Sequence, residues 1–246
     1  MMEDKRACLF GLPIDITTMQ NAKEKLLNAD KPMQVVTINP EMLTVAHQNE
    51  ELATLIKSAD MVIPDGIGVV IGLKMIGVKT SRIPGIELAY ELLKEANAKG
   101  LKVALIGATE ETIQETKKEL LKELPNLNIV YLRNGFFDNC EEVEIINELG
   151  KLQPDILLAG LGFPKQEKFI ESFKNILKRA IMIGVGGSFD VWSKKVKRAP
   201  KIFQKLNLEW FYRLLCQPSR FKRMFPTIPL FLIKVALNQN LNRKEY

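Results

Sequence analysis

The stretch IELAYELLKEANAKGLKVALIGATEETIQETKKELLKELPNLNIVYL, residues 86–132, decides the fold class. It reads as helix, strand, helix, strand. Ile86–Ala98 places Leu88, Leu92, Leu93 and Ala96 on one helical face, and Ile113–Leu124 does the same with Ile113, Leu120, Leu121 and Leu124. Val103–Ile106 and Ile129–Leu132 are short apolar runs without alternation, as expected of strands covered on both faces. Gly100 closes the first helix before Val103, and Pro125-Asn126 closes the second.

Outward from this segment, runs of the same kind stand at Cys8–Leu12, Val35–Ile38, Met61–Ile63, Ile156–Leu158 and Ile181–Val185. The alternation predicts an α/β sheet, mostly parallel, with helices on both faces. A helix start is written in Thr37-Ile38-Asn39-Pro40-Glu41. Asn39 is a capping residue, Pro40 suits the first helical position, and Glu41 suits the positive end of the dipole.

The pattern changes after about Val191. Residues 200–242 read as helical and basic, with aromatics that look exposed: Phe203, Trp210, Phe211, Tyr212, Phe221, Phe225 and Phe231. The apolar stretch Ile228–Leu237 is interrupted by Lys234 and is far shorter than the roughly 20 residues that span a bilayer. Residues 1–191 are therefore expected to form the core, and 192–246 an amphipathic appendage that lies on a membrane without crossing it. Charge follows the same division. From Lys194 onward there are thirteen Lys/Arg against two acids, whereas residues 1–193 carry 22 basic against 27 acidic groups. A basic tail on a mildly acidic body is expected to meet an anion: phosphate, lipid headgroup or nucleic acid. The apolar run favours lipid over a nucleic-acid backbone. The N-terminus lacks the apolar core of a signal peptide, so nothing exported is indicated. Cys8, Cys140 and Cys216 are far apart and suit a reducing compartment.

Ligands of open α/β sheets bind at the carboxyl ends of the strands. Five polar or glycine-rich clusters fall there: Thr37 with Asn39, Pro64–Gly68, Gly107–Thr109, Gly160–Glu167 and Gly184–Asp190. In the last, Gly184, Gly186 and Gly187 let backbone N–H groups approach a phosphate, or simply make a tight turn; Gly107 presents the same choice. There is no G-x-G-x-x-G fingerprint or P-loop, which argues against an NAD(P)-dependent oxidoreductase. Asp65, at an apolar strand-to-loop junction, is either a partly desolvated general base or the acceptor of a turn or helix cap. Asp190 and Glu167 compete for the base. His47 reads as an ordinary surface residue, and no spacing suggests a metal site or other cofactor. Arg213, Arg220 and Arg223 are forked cations able to offset charge on a departing diphosphate, or else a solvated basic face.

Seven motifs occur in order: TINPE (37–41), PDGIG (64–68), RIPGIE (82–87), GLGFPKQE (160–167), GVGGSFD (184–190), KRAP (197–200) and LEWFYRL (208–214). Together they resemble the WecG/TagA/CpsF family of glycosyltransferases from Phe10 to about Arg223. The resemblance implies a Rossmann-like core with a membrane-targeting appendage, peripheral on the inner face of the cell membrane. It implies transfer of N-acetylmannosamine from its UDP donor to the 4-hydroxyl of N-acetylglucosamine on undecaprenyl diphosphate, with inversion and without a metal, in wall teichoic acid linkage-unit synthesis. Other members use the uronic acid or another hexose. By the resemblance Asp65 is the base, Thr37, Asn39, Arg82 and Gln166 line the pocket, and Arg213, Arg220 and Arg223 engage the diphosphate. Val191–Lys194 departs from the family's pattern. A non-catalytic membrane adaptor and a cytosolic homo-oligomer that hides the apolar tail stand as alternatives.

Overall fold

A computed structural model of the chain describes residues 5–197, 199–200, 202–203, 227–237 and 243–244. Its strands are β1 (Arg6–Leu9), β2 (Leu12–Asp15), β3 (Met33–Ile38), β4 (Met61–Pro64), β5 (Lys102–Gly107), β6 (Asn128–Arg133), β7 (Ile156–Gly160), β8 (Ile181–Gly184) and β9 (Arg243–Lys244). Helices α1 (Met19–Leu27), α2 (Pro40–His47), α3 (Glu50–Lys57), α4 (Ile67–Met75) and α5 (Gly85–Lys99) precede β5. Helices α6 (Glu110–Glu123), α7 (Asn139–Leu152), α8 (Lys165–Glu171), α9 (Ser188–Trp192) and α10 (Thr227–Leu237) follow it.

Six strands form one parallel sheet in the order β4-β3-β8-β7-β5-β6. Their apolar runs fill two layers at once. Along β3, Val35 points into a core shared with α1, α5, α6 and α9, and Val36 into one shared with α2, α3, α4 and α10. The second face continues across β5, β7 and β8 under α7 and α8. The expected α/β architecture is what forms. Helix starts obey local chemistry: Asn39 Oδ1 accepts from Met42 N at 3.0 Å with Pro40 in the first turn, and Gly100 ends α5 in the left-handed conformation.

The first apolar run departs from expectation. Cys8–Leu12 is not a strand of the parallel sheet. Phe10 and Gly11 both take positive φ, which turns the chain into an antiparallel hairpin of β1 and β2. Asp15 fixes this hairpin in place, pairing with Arg6 at 2.9 Å and accepting from Val62 N of edge strand β4 at 2.6 Å.

The far C-terminal elements return to this side. β9 pairs with β1, and α10 packs on α4 and α2. Phe231, expected to be exposed, is 0% exposed: it meets Phe10 edge-to-face at 5.4 Å and lies over Gly72, whose missing side chain makes room. Burying such a ring is worth roughly 1.5–3 kcal/mol. The opposite flank of α10 leaves Leu230, Ile233 and Leu237 exposed, and α4 beside it exposes Ile71 and Met75. Among the described residues no helix is long and apolar enough to cross a membrane.

Candidate active site

The site is built on the carboxyl edge of the parallel sheet. β5 is followed by α6 on one face and β7 by α8 on the other, so a crevice opens between these two strand ends. Gly107 and Gly160 are register partners there. Gly107 has φ +142°, and a Cβ on it would stand 2.5 Å from the Gly160 carbonyl oxygen. Ala108 follows at φ +56°, its carbonyl accepting from Gly135 N at 2.9 Å. The crevice floor is thus backbone packed on backbone. Thr109 caps α6, whose first turn carries Glu110 and Glu111. Asn134 and Gln114 donate to Glu110 and hold its carboxyl below the usual range. That helix end already has its anions.

At the other end of the edge, the β4–α4 loop presents Asp65. Its own N–H donates to Ile38 O at 3.0 Å, and its carboxylate Oδ1 accepts from Gly85 N, the first amide of α5, at 3.1 Å. Arg82 Nε donates to the Asp65 carbonyl at 2.5 Å, and the guanidinium lies 3.8 Å from Oδ1. Gly85 thus uses the carboxylate as acceptor, and Arg82 grips the main-chain carbonyl with its charge close to the carboxylate. The side chain stays 33% exposed, so it is anchored and reachable together. Asp65 does not cap the helix that follows it, since Gly66 begins α4 without a side-chain cap; its carboxylate meets the first amide of α5 instead.

Thr37 and Asn39 close around this residue. Thr37 Oγ1 donates to Gly184 O at 3.2 Å, joining the ends of β3 and β8. Gly85 approaches so closely that a Cβ would lie 2.6 Å from Thr37 Cγ2. Gly66 sits against Asn39 and Pro40. Sequence reasoning did not single out Gly85. Its signal was the Pro84-Gly85 pair opening a helix without a side-chain cap, which leaves an amide for a neighbouring carboxylate.

Gln166 joins the two glycine loops. Its Oε1 accepts from Gly162 N at 3.2 Å and Gly186 N at 3.1 Å, and its Nε2 donates to Glu167 Oε1 at 2.8 Å. The amide of Gly186 is thus engaged inside the protein. A Cβ on Gly184 would collide with the Gln166 amide, so glycine is required there for packing. Glu167 is 2% exposed and faces the core, which removes it as a competing base; burial pushes its carboxyl above the usual range. Asp190, on α9, is half-buried beside Gly187.

Arg213, Arg220 and Arg223 lie outside the described residues, as do Cys216, Trp210, Phe211, Tyr212, Phe221 and Phe225. The start of the basic segment is within them, and its first two lysines pair with α6. Lys194 joins Lys122 on Glu119 of α6, and Lys195 pairs with Glu111 at 2.8 Å. Trp192 packs on Phe189. His47 is exposed, its ring 5.1 Å from that of Phe10.

Comparison with known proteins gives a consistent result. The model of the "Glycosyl transferase WecG/TagA/CpsF family" matches residues 7–246. A Bacillus spizizenii protein named N-acetylglucosaminyldiphosphoundecaprenol N-acetyl-beta-D-mannosaminyltransferase is 37% identical over 221 residues, 89% of this chain and 85% of its own. Proteins of the same name from Bacillus subtilis and Staphylococcus aureus are each 36% identical. They cover 86% and 93% of this chain, and 82% and 91% of their own.

Proposed function

The chain belongs to the WecG/TagA/CpsF family of glycosyltransferases, and from that premise we propose that it is an N-acetylmannosaminyltransferase acting on N-acetylglucosaminyl-diphosphoundecaprenol. The donor is the UDP sugar, the acceptor atom the 4-hydroxyl of the lipid-linked N-acetylglucosamine, and the product the linkage unit of wall teichoic acid. The observation that carries this is near-full-length likeness to relatives named for that transfer.

The chemistry is a single inverting displacement. Asp65 takes the proton of the acceptor hydroxyl as its oxygen attacks the anomeric carbon, and the bond to UDP breaks on the opposite side. Arg82 and the Gly85 amide hold the carboxylate in place. Thr37, Asn39 and Gln166 shape the pocket, and the glycine loops at Gly107 and at Gly184, Gly186 and Gly187 let the donor approach the backbone. Arg213, Arg220 and Arg223 offset the charge growing on the departing diphosphate. The exposed flank of α10, with the basic charge around it, suits the surface of an anionic membrane where the lipid acceptor lies. On this proposal the surface it meets is the inner face of the cell membrane.

The test is UDP release from UDP-N-acetylmannosamine with a short-chain lipid-diphosphate N-acetylglucosamine acceptor. Acceptor-dependent release that collapses in Asp65→Asn is the expected result. Release only from a different nucleotide sugar would reassign the donor, and release independent of any acceptor would overturn the transferase chemistry.

A further inference from the structure

The mechanism above gives no task to the most deeply buried acid of the site. Glu167 lies on α8, 2% exposed, beside Gln166 at 4%. The helix is wedged against β3, β7 and β8, strands without a charged side chain. The charged residues of α8 and its neighbours point elsewhere. Lys168 pairs with Glu51 at 2.6 Å, Glu171 with Lys174 at 2.7 Å, and Lys165 lies 4.2 Å from the centre of the Phe137 ring. Among the described residues Glu167 has no cation to balance it.

What it does have is one specific partner. Its Oε1 accepts from Gln166 Nε2 at 2.8 Å. A glutamine amide can be inserted either way round, and the two ways are not equivalent here. Gly162 N and Gly186 N both point at one end of it, at 3.2 and 3.1 Å. Turned over, the amide would set its own N–H groups against two part-buried backbone N–H groups and its oxygen against that of Glu167, and every one of these bonds would be lost. An acceptor behind Nε2 selects the useful orientation, and Glu167 is that acceptor.

We propose that Glu167 is a positioning residue: by accepting from Gln166 Nε2 it locks the amide that clamps Gly162 to Gly186, and so holds the β7–α8 and β8–α9 loops in register across the donor side of the site. The feature required is a neutral acceptor, not a negative charge. Burial favours the protonated acid. The second oxygen, Oε2, is buried with no acceptor or donor partner among the described residues. The same is true of Oε1 of Gln34, whose Nε2 donates to the Glu167 carbonyl at 3.4 Å.

The assignment of a role in transfer rests on the function proposed above, but the clamp itself can be read without it. Two variants separate the possibilities in the full-length protein. Glu167→Gln removes the charge and keeps an acceptor at the same reach; Glu167→Asp keeps the acid and withdraws it by one methylene. Hydrogen–deuterium exchange at Gly162 and Gly186 is the direct readout, and the kcat and donor KM of transfer the second. The clamp predicts exchange about tenfold faster in Glu167→Asp, the size of one buried hydrogen bond. It also predicts a kcat lowered by a similar factor with a smaller change in KM, and recovery of most of both in Glu167→Gln. The reverse order, Asp tolerated and Gln inactive, would make the group an acid–base participant and overturn the proposal. So would unchanged exchange in Glu167→Asp. Absence of transfer in the wild type would remove the functional reading alone, since exchange still reports whether the clamp exists.

Discussion

The two ends of the sheet's carboxyl edge are built on different principles. Around β3 and β4 the working groups are side chains, and the backbone serves them: Asp65 is gripped by the amides and guanidinium around it and remains partly open to solvent. Around β5, β7 and β8 the relation is inverted. The loops there turn on half-buried glycine backbone, and the buried Gln166 side chain holds it. One half is arranged to present a charge, the other to hold tightly packed backbone in place. A substitution should therefore fail differently in the two halves: chemistry without stability in the first, stability before chemistry in the second.

The largest expected effect tests the first half. Asp65→Asn keeps an oxygen to accept from Gly85 N but cannot take a proton. Loss of kcat by about 10²–10⁴ is expected, with a melting temperature close to that of wild type. A loss confined to KM would break the division, since it would make Asp65 a binding group. The matching test of the second half is Gly107→Ala. There the new Cβ meets a carbonyl of the neighbouring strand in a backbone conformation with φ +142°, and neither strand can yield without disturbing the ladder. A cost of about 1–3 kcal/mol is expected, and thermal unfolding at a temperature lower by several degrees checks it. Unchanged stability would mean that the two strand ends are looser than their register suggests.

Arg82→Lys sharpens the comparison at a smaller scale. Lysine keeps the charge but loses the Nε–H that meets the Asp65 carbonyl and the fork that reaches its carboxylate. A fall in kcat/KM of about tenfold, near the worth of one charge-assisted hydrogen bond, is expected from steady-state kinetics. Full activity would reduce Arg82 to a charge whose geometry does not matter.

Much of this was legible before the structure. The six apolar runs from Val35 onward became the six parallel strands; five are largely buried, which demands apolar residues throughout, while edge strand β6 is only half-buried. Asn39 and Gly100 ended or began helices as their chemistry dictates. The failures share one cause. Cys8–Leu12 and Phe231 have the composition of a central strand and an exposed appendage, yet they meet each other: the hairpin turn at Phe10-Gly11 and the return of α10 create a contact between residues more than two hundred positions apart. Neither local periodicity nor charge reports such a contact. The burial of Glu167 was hidden likewise. An acid in a polar motif reads as exposed until the packing of α8 against three strands is known.

The smallest effect concerns the link between the glycine half and the basic segment. Glu119 stands on α6, its carboxylate shared by Lys122 and Lys194, and these hydrogen bonds hold its pKa down at about 2. Lys194, just past α9, is thereby fixed to the helix that follows the Gly107 loop, and Lys195 is fixed two turns earlier by Glu111. The sign of the pH dependence follows from the direction of the shift. A carboxyl whose folded pKa lies below its ordinary value of 4.5 stabilises the fold above that value, and the contribution disappears as pH falls toward 2. Glu119→Gln should then melt slightly below wild type at neutral pH, with the gap closing across the acid range. Because the ammonium groups remain in solvent, the gap should also shrink with added salt. A difference that persisted at low pH and high salt would have to come from packing of the side-chain stem, and Lys194 would then be held on α6 by shape and not by charge.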